Sequence, residues 1–331
     1  MSDDGTREVL NRFVASSVVG SPVISSPIVR VIDNPGRIVS TGLNAALKSA
    51  RGEIIIRMDA HTEYAPDYVS QCVAAIQATG ADNVGGPWVA RGNDYLSQTI
   101  AAAFQSPFAV GGASAHKPCY EGPIDTVYLG CWRRQAFGRF GCFDEELVRN
   151  QDDEHNLRIV RGGGKIWQSQ KIRSWYRPRG SLGALFNQYV QYGYWKVRVI
   201  QKHKLPASWR HLVPGAFVFT LAVLALLSVF CFLLLVAPNL GAGGSVFNSY
   251  ASFCFLLSDL CFFSLVGVYV LCVFGASLLT AAKTEWKLLP VLPAVFPCYH
   301  FGYGYGFLRG IWDFMIRGRR PATVFTTLTR G

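Results

Sequence analysis

The 331 residues suffice for roughly two domains, and half of them are hydrophobic against 16% charged, which excludes a disordered chain and a coiled coil. The excess of 32 Lys and Arg over 21 Asp and Glu, a formal +11, suits an anionic partner: a membrane surface, a phosphorylated substrate or a nucleic acid. Nine cysteines without a CxxC pair indicate neither a zinc site nor a disulfide framework.

Strand and helix alternate through the polar first part. Pro27 to Ile32 reads as a β-branched strand, Arg37 to Ala50 as a helix with Ile38, Leu43, Ala46 and Leu47 in helical spacing, and Glu53 to Met58 as another strand. Pro66 to Gln77 reads as a helix, Asp82 to Trp88 and Asp125 to Trp132 as strands, Gln151 to Arg161 as a helix stopped by glycines, and Lys165 to Gln168 as a strand. This order predicts an α/β domain over residues 1–210 with a largely parallel sheet and ligands at the carboxyl ends of its strands.

The strand 53–58 runs into Asp59-Ala60-His61. A carboxylate and an imidazole two residues apart can face one cation that bridges phosphate oxygens, or they are a loop cap beside an ordinary surface histidine. Asn150-Gln-Asp-Asp-Glu154 opens a helix. Its acids either satisfy the positive end of the helix dipole or include a general base.

Residues 211–331 read as a membrane region. From Val213 to Ala282 only Asp259 is charged. Val213 to Val236 is long enough to cross a hydrocarbon core of about 30 Å. A second apolar run, from about Tyr250 to Ala282, would be about 50 Å long as a helix, which places its crossing near Leu260 to Ala282 and Asp259 at the interface. Arg198, Lys202, Lys204 and Arg210 precede the first run, and Lys283, Lys287, Arg309, Arg317, Arg319 and Arg320 follow the second. The positive-inside rule therefore keeps both flanks and the first 210 residues in the cytoplasm. Leu288 to Ile311, broken by Pro290, Pro293 and Pro297, reads as a third span, a re-entrant element or an interfacial helix. Because much of the excess charge flanks the apolar runs, a nucleic-acid partner is disfavoured.

Several strings then act together: Asp3-Asp-Gly-Thr-Arg-Glu8, Asn34-Pro-Gly-Arg37 with Gly42-Leu-Asn44, Arg57-Met-Asp-Ala-His61, Val127-Tyr-Leu-Gly-Cys-Trp-Arg-Arg134, Gly141-Cys-Phe-Asp-Glu145, Asn150-Gln-Asp-Asp-Glu154, Gln191-Tyr-Gly-Tyr-Trp-Lys196 and the glycine-rich His300 to Gly310. In this order and spacing the chain resembles glycosyltransferase family 2, with the GT-A fold, and more narrowly the ExoA-like glucosyltransferases of succinoglycan biosynthesis.

The resemblance implies an inverting, metal-dependent transfer of a sugar, glucose from UDP-glucose, to a polyprenyl-diphosphate-linked saccharide by a multi-pass protein of the bacterial inner membrane. It implies a divalent cation, Mg or Mn, at Asp59 and at His61, which stands where the second acid of the family's DxD motif commonly lies. Donor contacts fall to Asp4, Arg37, Asn44, Arg57 and Asp59. Asp152 resembles the family's base, with Gln151 in place of the usual Glu. Arg133, Arg134 and Lys196 are candidates to hold pyrophosphate or to sit on anionic headgroups. Trp132 and Trp195 either stack on sugar rings or pack, and His116 is a candidate for the acceptor side. The stretch Gln188 to Lys196 does not match the Gln-x-x-Arg-Trp motif of processive relatives, which favours addition of a single sugar. The resemblance further implies a preceding strand, helix and strand, with Ser2 to Thr6 as the tail of the turn after them. Met1 is accordingly expected to be internal to a longer reading frame, or the chain a truncated copy. A catalytically impaired membrane scaffold is the alternative reading.

Overall fold

The computed structural model describes residues 5–18, 29–236, 245–319 and 325. Helices α1 (Thr6–Val18) and α2 (Val39–Ser49) lead into β1 (Ile54–Ile56) and β2 (Thr62–Tyr64), followed by α3 (Tyr68–Thr79), β3 (Asn83–Gly86), β4 (Val89–Ala90), α4 (Tyr95–Phe104) and α5 (Pro107–Val110). Next come β5 (Gly122–Pro123), β6 (Tyr128–Arg133), α6 (Arg134–Phe140), α7 (Gln151–Arg161), β7 (Ile166–Gln168) and β8 (Ser174–Tyr176). Then follow α8 (Leu182–His203), α9 (Val213–Val236), α10 (Ser245–Lys283) and α11 (Leu292–Gly310), the last running into a π-helical turn at Ile311–Ile316.

The main sheet has the order β1-β6-β3-β7-β5. β6 runs antiparallel to β1 and β3, β7 parallel to β3, and β5 antiparallel to β7, so β1, β3 and β7 share a direction that β5 and β6 oppose. The α/β domain is present, with a mixed sheet. The chain leaves β3 and re-enters as β6 at the same end, where Gly86 faces Tyr128, and a strand entered from that end must run back. A second sheet, β2-β8-β4, holds the turn-and-strand segment that follows β1. The strand expected at 27–32 is not found in its described part: residues 29–32 are unpaired and mostly exposed. Among the described residues no strand pairs with them, and β1 is the edge of the main sheet.

Apolar side chains cover both faces of the main sheet. Tyr68, Cys72 and Ile76 of α3 pack on Val84 and Cys131, while Ala136, Phe143 and Ile159 close over Trp132 and Ile166. These layers fix the end of the sheet at which β1, β3 and β7 finish.

Among the described residues two helices are long and apolar enough to cross a membrane, Trp209–Val236 and Ser249–Lys283, and little of either is buried within the protein. Phe217 meets Tyr269 at 4.8 Å between ring centroids and Phe232 meets Phe255 at 6.0 Å, so the two helices run antiparallel. The crossing expected at 260–282 lies within the second of these helices. Val273 and Ala281 of α10 pack against α4 and α11, and Asp259 accepts a hydrogen bond from Ser228 of α9.

The glycine-rich helix α11 is a clamp. A Cβ on Gly306 would lie 2.0 Å from the Val190 carbonyl oxygen, and one on Gly193 would lie 2.1 Å from that of Tyr303. Gly302, Gly306 and Gly310 recur every fourth residue on one face and let α11 lie directly on α8. A Cβ on Gly304 would meet the Pro214 carbonyl oxygen at 2.5 Å, so α11 is wedged between α8 and α9.

Candidate active site

The site forms where β1 ends. Asp59 closes a turn by accepting the Thr62 N–H at 3.1 Å, and its own N–H and carbonyl both bond the Tyr64 hydroxyl. Thr62 Oγ1 lies 2.7 Å from the Tyr128 hydroxyl, which ties the turn to the start of β6. The Arg57 backbone N–H donates to the Gly130 carbonyl at 3.1 Å, extending the β1–β6 ladder to the site. Its guanidinium donates from Nε and Nη2 to the two Asp59 oxygens, 2.8 Å each, a fork that a carboxylate matches geometrically. The third nitrogen, Nη1, is buried without a hydrogen-bond partner and stands 3.8 Å from Asp152 Oδ2. Burial opposes the Arg57 charge, yet Asp59 and Asp152 more than offset it and hold the guanidinium protonated above its ordinary range.

Asp152 comes from the first turn of α7. Asn150, in the left-handed region at φ 62°, donates from Nδ2 to the Tyr192 carbonyl at 3.0 Å and so sets where the helix begins. A buried chain holds α7 on the sheet: Asn83 donates to Asn156 at 2.8 Å, and Asn156 donates to Thr126 at 2.9 Å. The three acids of the first turn have separate surroundings. Asp152 faces Arg57, its side chain 39% exposed. Asp153 pairs with Lys196 of α8. Glu154 is buried, gripped by Arg158 at 2.8 and 2.9 Å and by His203 at 2.9 Å. The helix-dipole reading therefore suits Glu154, where the ion-pair network is structural, and leaves Asp152 open to solvent.

Of the residues expected at the site, Arg57, Asp59 and Asp152 come together, with Lys196 beside them. His61 ends the same turn, its ring 6.0 Å from that of Tyr176. Asp4 lies outside the described residues. Arg37 is exposed with φ 55°. Asn44 is corrected as a donor contact: its amide donates to the Phe143 carbonyl and to Glu145 at 2.8 Å and accepts the Phe143 N–H at 3.0 Å, which uses it up in anchoring a loop. Arg133 and Arg134 are corrected as well. Arg133 pairs with Ile54 at the start of β1, the end of the sheet away from Asp59, and Arg134 donates to the Gly52 carbonyl at 2.7 Å. Trp132 and Trp195, 1% and 0% exposed, are packing residues with no face for a sugar ring. His116 stacks on Trp88 at 5.4 Å, and Trp88 stacks on Tyr128 at 5.0 Å. Trp88, Arg158 and His203 carried no functional motif; the spacing of Glu154 and Arg158 alone marks an ion pair in the sequence.

Among the described residues no group of three or more His, Cys, Asp or Glu side chains converges as a metal cage; Asp59 and His61 are the side chains of this turn that could hold a divalent cation, and both Asp59 oxygens already accept from Arg57.

Residues 1–127 match the family profile described as glycosyl transferase family 2. Succinoglycan biosynthesis protein ExoA of Rhizobium meliloti (strain 1021) is 32% identical over 230 residues, 69% of this chain and 67% of the relative. A dolichyl N-acetyl-alpha-D-glucosaminyl phosphate 3-beta-D-2,3-diacetamido-2,3-dideoxy-beta-D-glucuronosyltransferase of Methanococcus voltae is 22% identical over 289 residues, 86% of this chain and 78% of the relative. The crystal structure of S. aureus TarS 1-349 aligns over 96% of this chain and 80% of its own at 12% identity, with a TM-score of 0.37.

Proposed function

The chain belongs to glycosyltransferase family 2, and from that premise we propose that it moves one sugar, glucose from UDP-glucose, onto a polyprenyl-diphosphate-linked saccharide with inversion, as a step of exopolysaccharide synthesis. The observation that carries this reading is the position of Arg57, which joins Asp59 and Asp152 on one wall. Donor diphosphate is held beside Asp59 and His61, where a divalent cation would neutralise the charge that develops on the leaving UDP. Arg57 keeps both Asp59 oxygens oriented and turns Nη1, which has no hydrogen-bond partner, toward Asp152. Asp152 takes the proton from the acceptor hydroxyl as that oxygen attacks the anomeric carbon, the bond from that carbon to the diphosphate breaks, and UDP departs. The Asp153 backbone N–H, 2.9 Å from Asp152 Oδ1, fixes the carboxylate for this role.

The reading places α9 and the facing part of α10 across the bacterial inner membrane, with the sheet domain in the cytoplasm beside the basic flanks. A lipid-anchored acceptor then meets a lipid-anchored enzyme. Membranes carrying the chain are expected to transfer label from radiolabelled UDP-glucose into a lipid extract, and chelator is expected to abolish the transfer. Labelling that survives chelator overturns the metal assignment, and labelling only from another nucleotide sugar overturns the donor.

A further inference from the structure

Asp59 lies where the chain passes from one sheet to the other. The β1–β6 ladder reaches as far as the Arg57 N–H on the Gly130 carbonyl, and β2 begins at Thr62, so the backbone of Asp59 belongs to neither sheet. Its neighbours do not fix it by packing, because Met58 is 50% exposed and Ala60 is exposed as well. Tyr64 supplies the hold. The Asp59 N–H donates to the Tyr64 hydroxyl, and that hydroxyl donates to the Asp59 carbonyl at 3.0 Å. One side-chain oxygen thus serves both backbone groups of a residue that neither ladder pairs. Tyr64 is itself well seated: it stands opposite Ser174 in the β2–β8 pair, its ring meets that of Tyr68 edge-on at 4.8 Å, and it packs against the core cluster that includes Cys72 and Cys131.

We propose that Tyr64 is a positioning residue for the donor: its hydroxyl holds the Asp59–His61 turn, before any ligand arrives, in the shape that receives the donor diphosphate. The inference rests on the transferase reading above and adds a residue that acts through Asp59. Arg57 orients the carboxylate of Asp59 and Tyr64 its backbone, through different atoms and from different sheets. A turn held in advance spares the donor the entropy of ordering it. Without the hydroxyl the Asp59 N–H loses its acceptor, and the carbonyl keeps only the Thr62 N–H. Asp152 is set separately, by the bonds of Asn150 to α8 and of Asn156 to the sheet, so the effect falls on the donor and not on the acceptor.

The test compares the wild type, Y64F and Y68F as full chains in lipid nanodiscs. Y64F keeps the ring and removes one oxygen, while Y68F removes a buried hydroxyl from the neighbouring ring that has no hydrogen bond to the turn. Amide hydrogen exchange over residues 57–64, without ligand, should quicken on the order of tenfold in Y64F and stay at the wild-type rate in Y68F. The dissociation constant of UDP with magnesium and the KM for UDP-glucose should each rise on the order of tenfold in Y64F, with the KM for the lipid acceptor and the thermal midpoint close to wild type. A turn as protected in Y64F as in the wild type overturns the proposal, as does wild-type UDP affinity in Y64F, an equal rise in both KM values, or the same losses in Y68F. The transferase reading fails separately, if the wild type binds no UDP; the exchange comparison then still decides whether Tyr64 holds the turn.

Discussion

Arg57 holds its Nη1 3.8 Å from Asp152 Oδ2 while the rest of its guanidinium is committed to Asp59. One side chain thus sets the spacing between the proposed donor acid and the proposed base. Lysine keeps the charge but has no fork. R57K is expected to lose at least tenfold in kcat/KM, from a roughly 1 Å misplacement of either carboxylate. Steady-state transfer kinetics check this, and a wild-type rate from R57K would show that the fork is incidental.

Glu154 predicts the opposite pattern. It is buried beneath Arg158 and His203, so E154A leaves the Arg158 charge without its partner, at a cost of about 3 kcal/mol. The thermal midpoint should drop by several degrees, and any loss of transfer should follow the fraction unfolded. A variant as stable as the wild type would remove Glu154 from the structural network.

Acid should destabilise the domain through His155. Burial lowers its pKa to about 4, helped by Arg158, against an ordinary 6.5. With Nε2 on the Gly141 carbonyl at 3.0 Å and Nδ1 buried without a partner, a second proton has no acceptor. Because the folded value is the lower one, the unfolded chain takes up the proton first. The stability contributed by the neutral ring is complete above 6.5 and is lost progressively as pH falls toward about 4. At pH 5 this residue accounts for a loss on the order of 2 kcal/mol. His116 and His211 act with the same sign. Unfolding midpoints at pH 7 and pH 5 should converge in H155Q relative to the wild type; an unchanged difference would refute the assignment.

The glycine clamp gives a steric prediction with an internal control. Nothing lies within 4 Å of a Cβ built on Gly267 or Gly275 of α10, whereas one on Gly306 would overlap the Val190 backbone. G306A should cost about 1–3 kcal/mol or more, because only backbone movement relieves the overlap, while G267A and G275A should leave the thermal midpoint within about two degrees. Equal melting of all three would mean that α11 does not lie on α8 as described.

Much of this architecture was legible from local pattern. The helix expected over Gln151 to Arg161 has those bounds, as does the apolar helix Val213–Val236, because acids at one end with glycines at the other, and an unbroken apolar run, are local signals. Asp59 and Asp152 were likewise visible as acids at a strand end and a helix start. What failed depends on contacts distant in sequence. A β-branched run at 27–32 makes a strand only beside a partner, and its described part, 29–32, pairs with no described strand. Trp132 and Trp195 have the composition of ligand-stacking residues, yet only three-dimensional packing shows them sealed. Arg133 and Arg134 carry the right charge at the wrong end of the sheet, which follows from the direction of β6. The glycines of α11 could equally have lined a span or a re-entrant turn, and the neighbour that requires them, α8, lies about a hundred residues earlier.

The most direct test of Asp152 as the base is transfer of label from UDP-glucose to a polyprenyl-diphosphate-linked saccharide by membranes carrying the wild type or Asp152→Asn. The amide keeps the size of the side chain and cannot accept the proton. Wild-type membranes should label the lipid, and D152N should fall by a factor on the order of 100 or more while still binding UDP. Equal labelling by the two would contradict the assignment of the base and, with it, the chemistry proposed for this site.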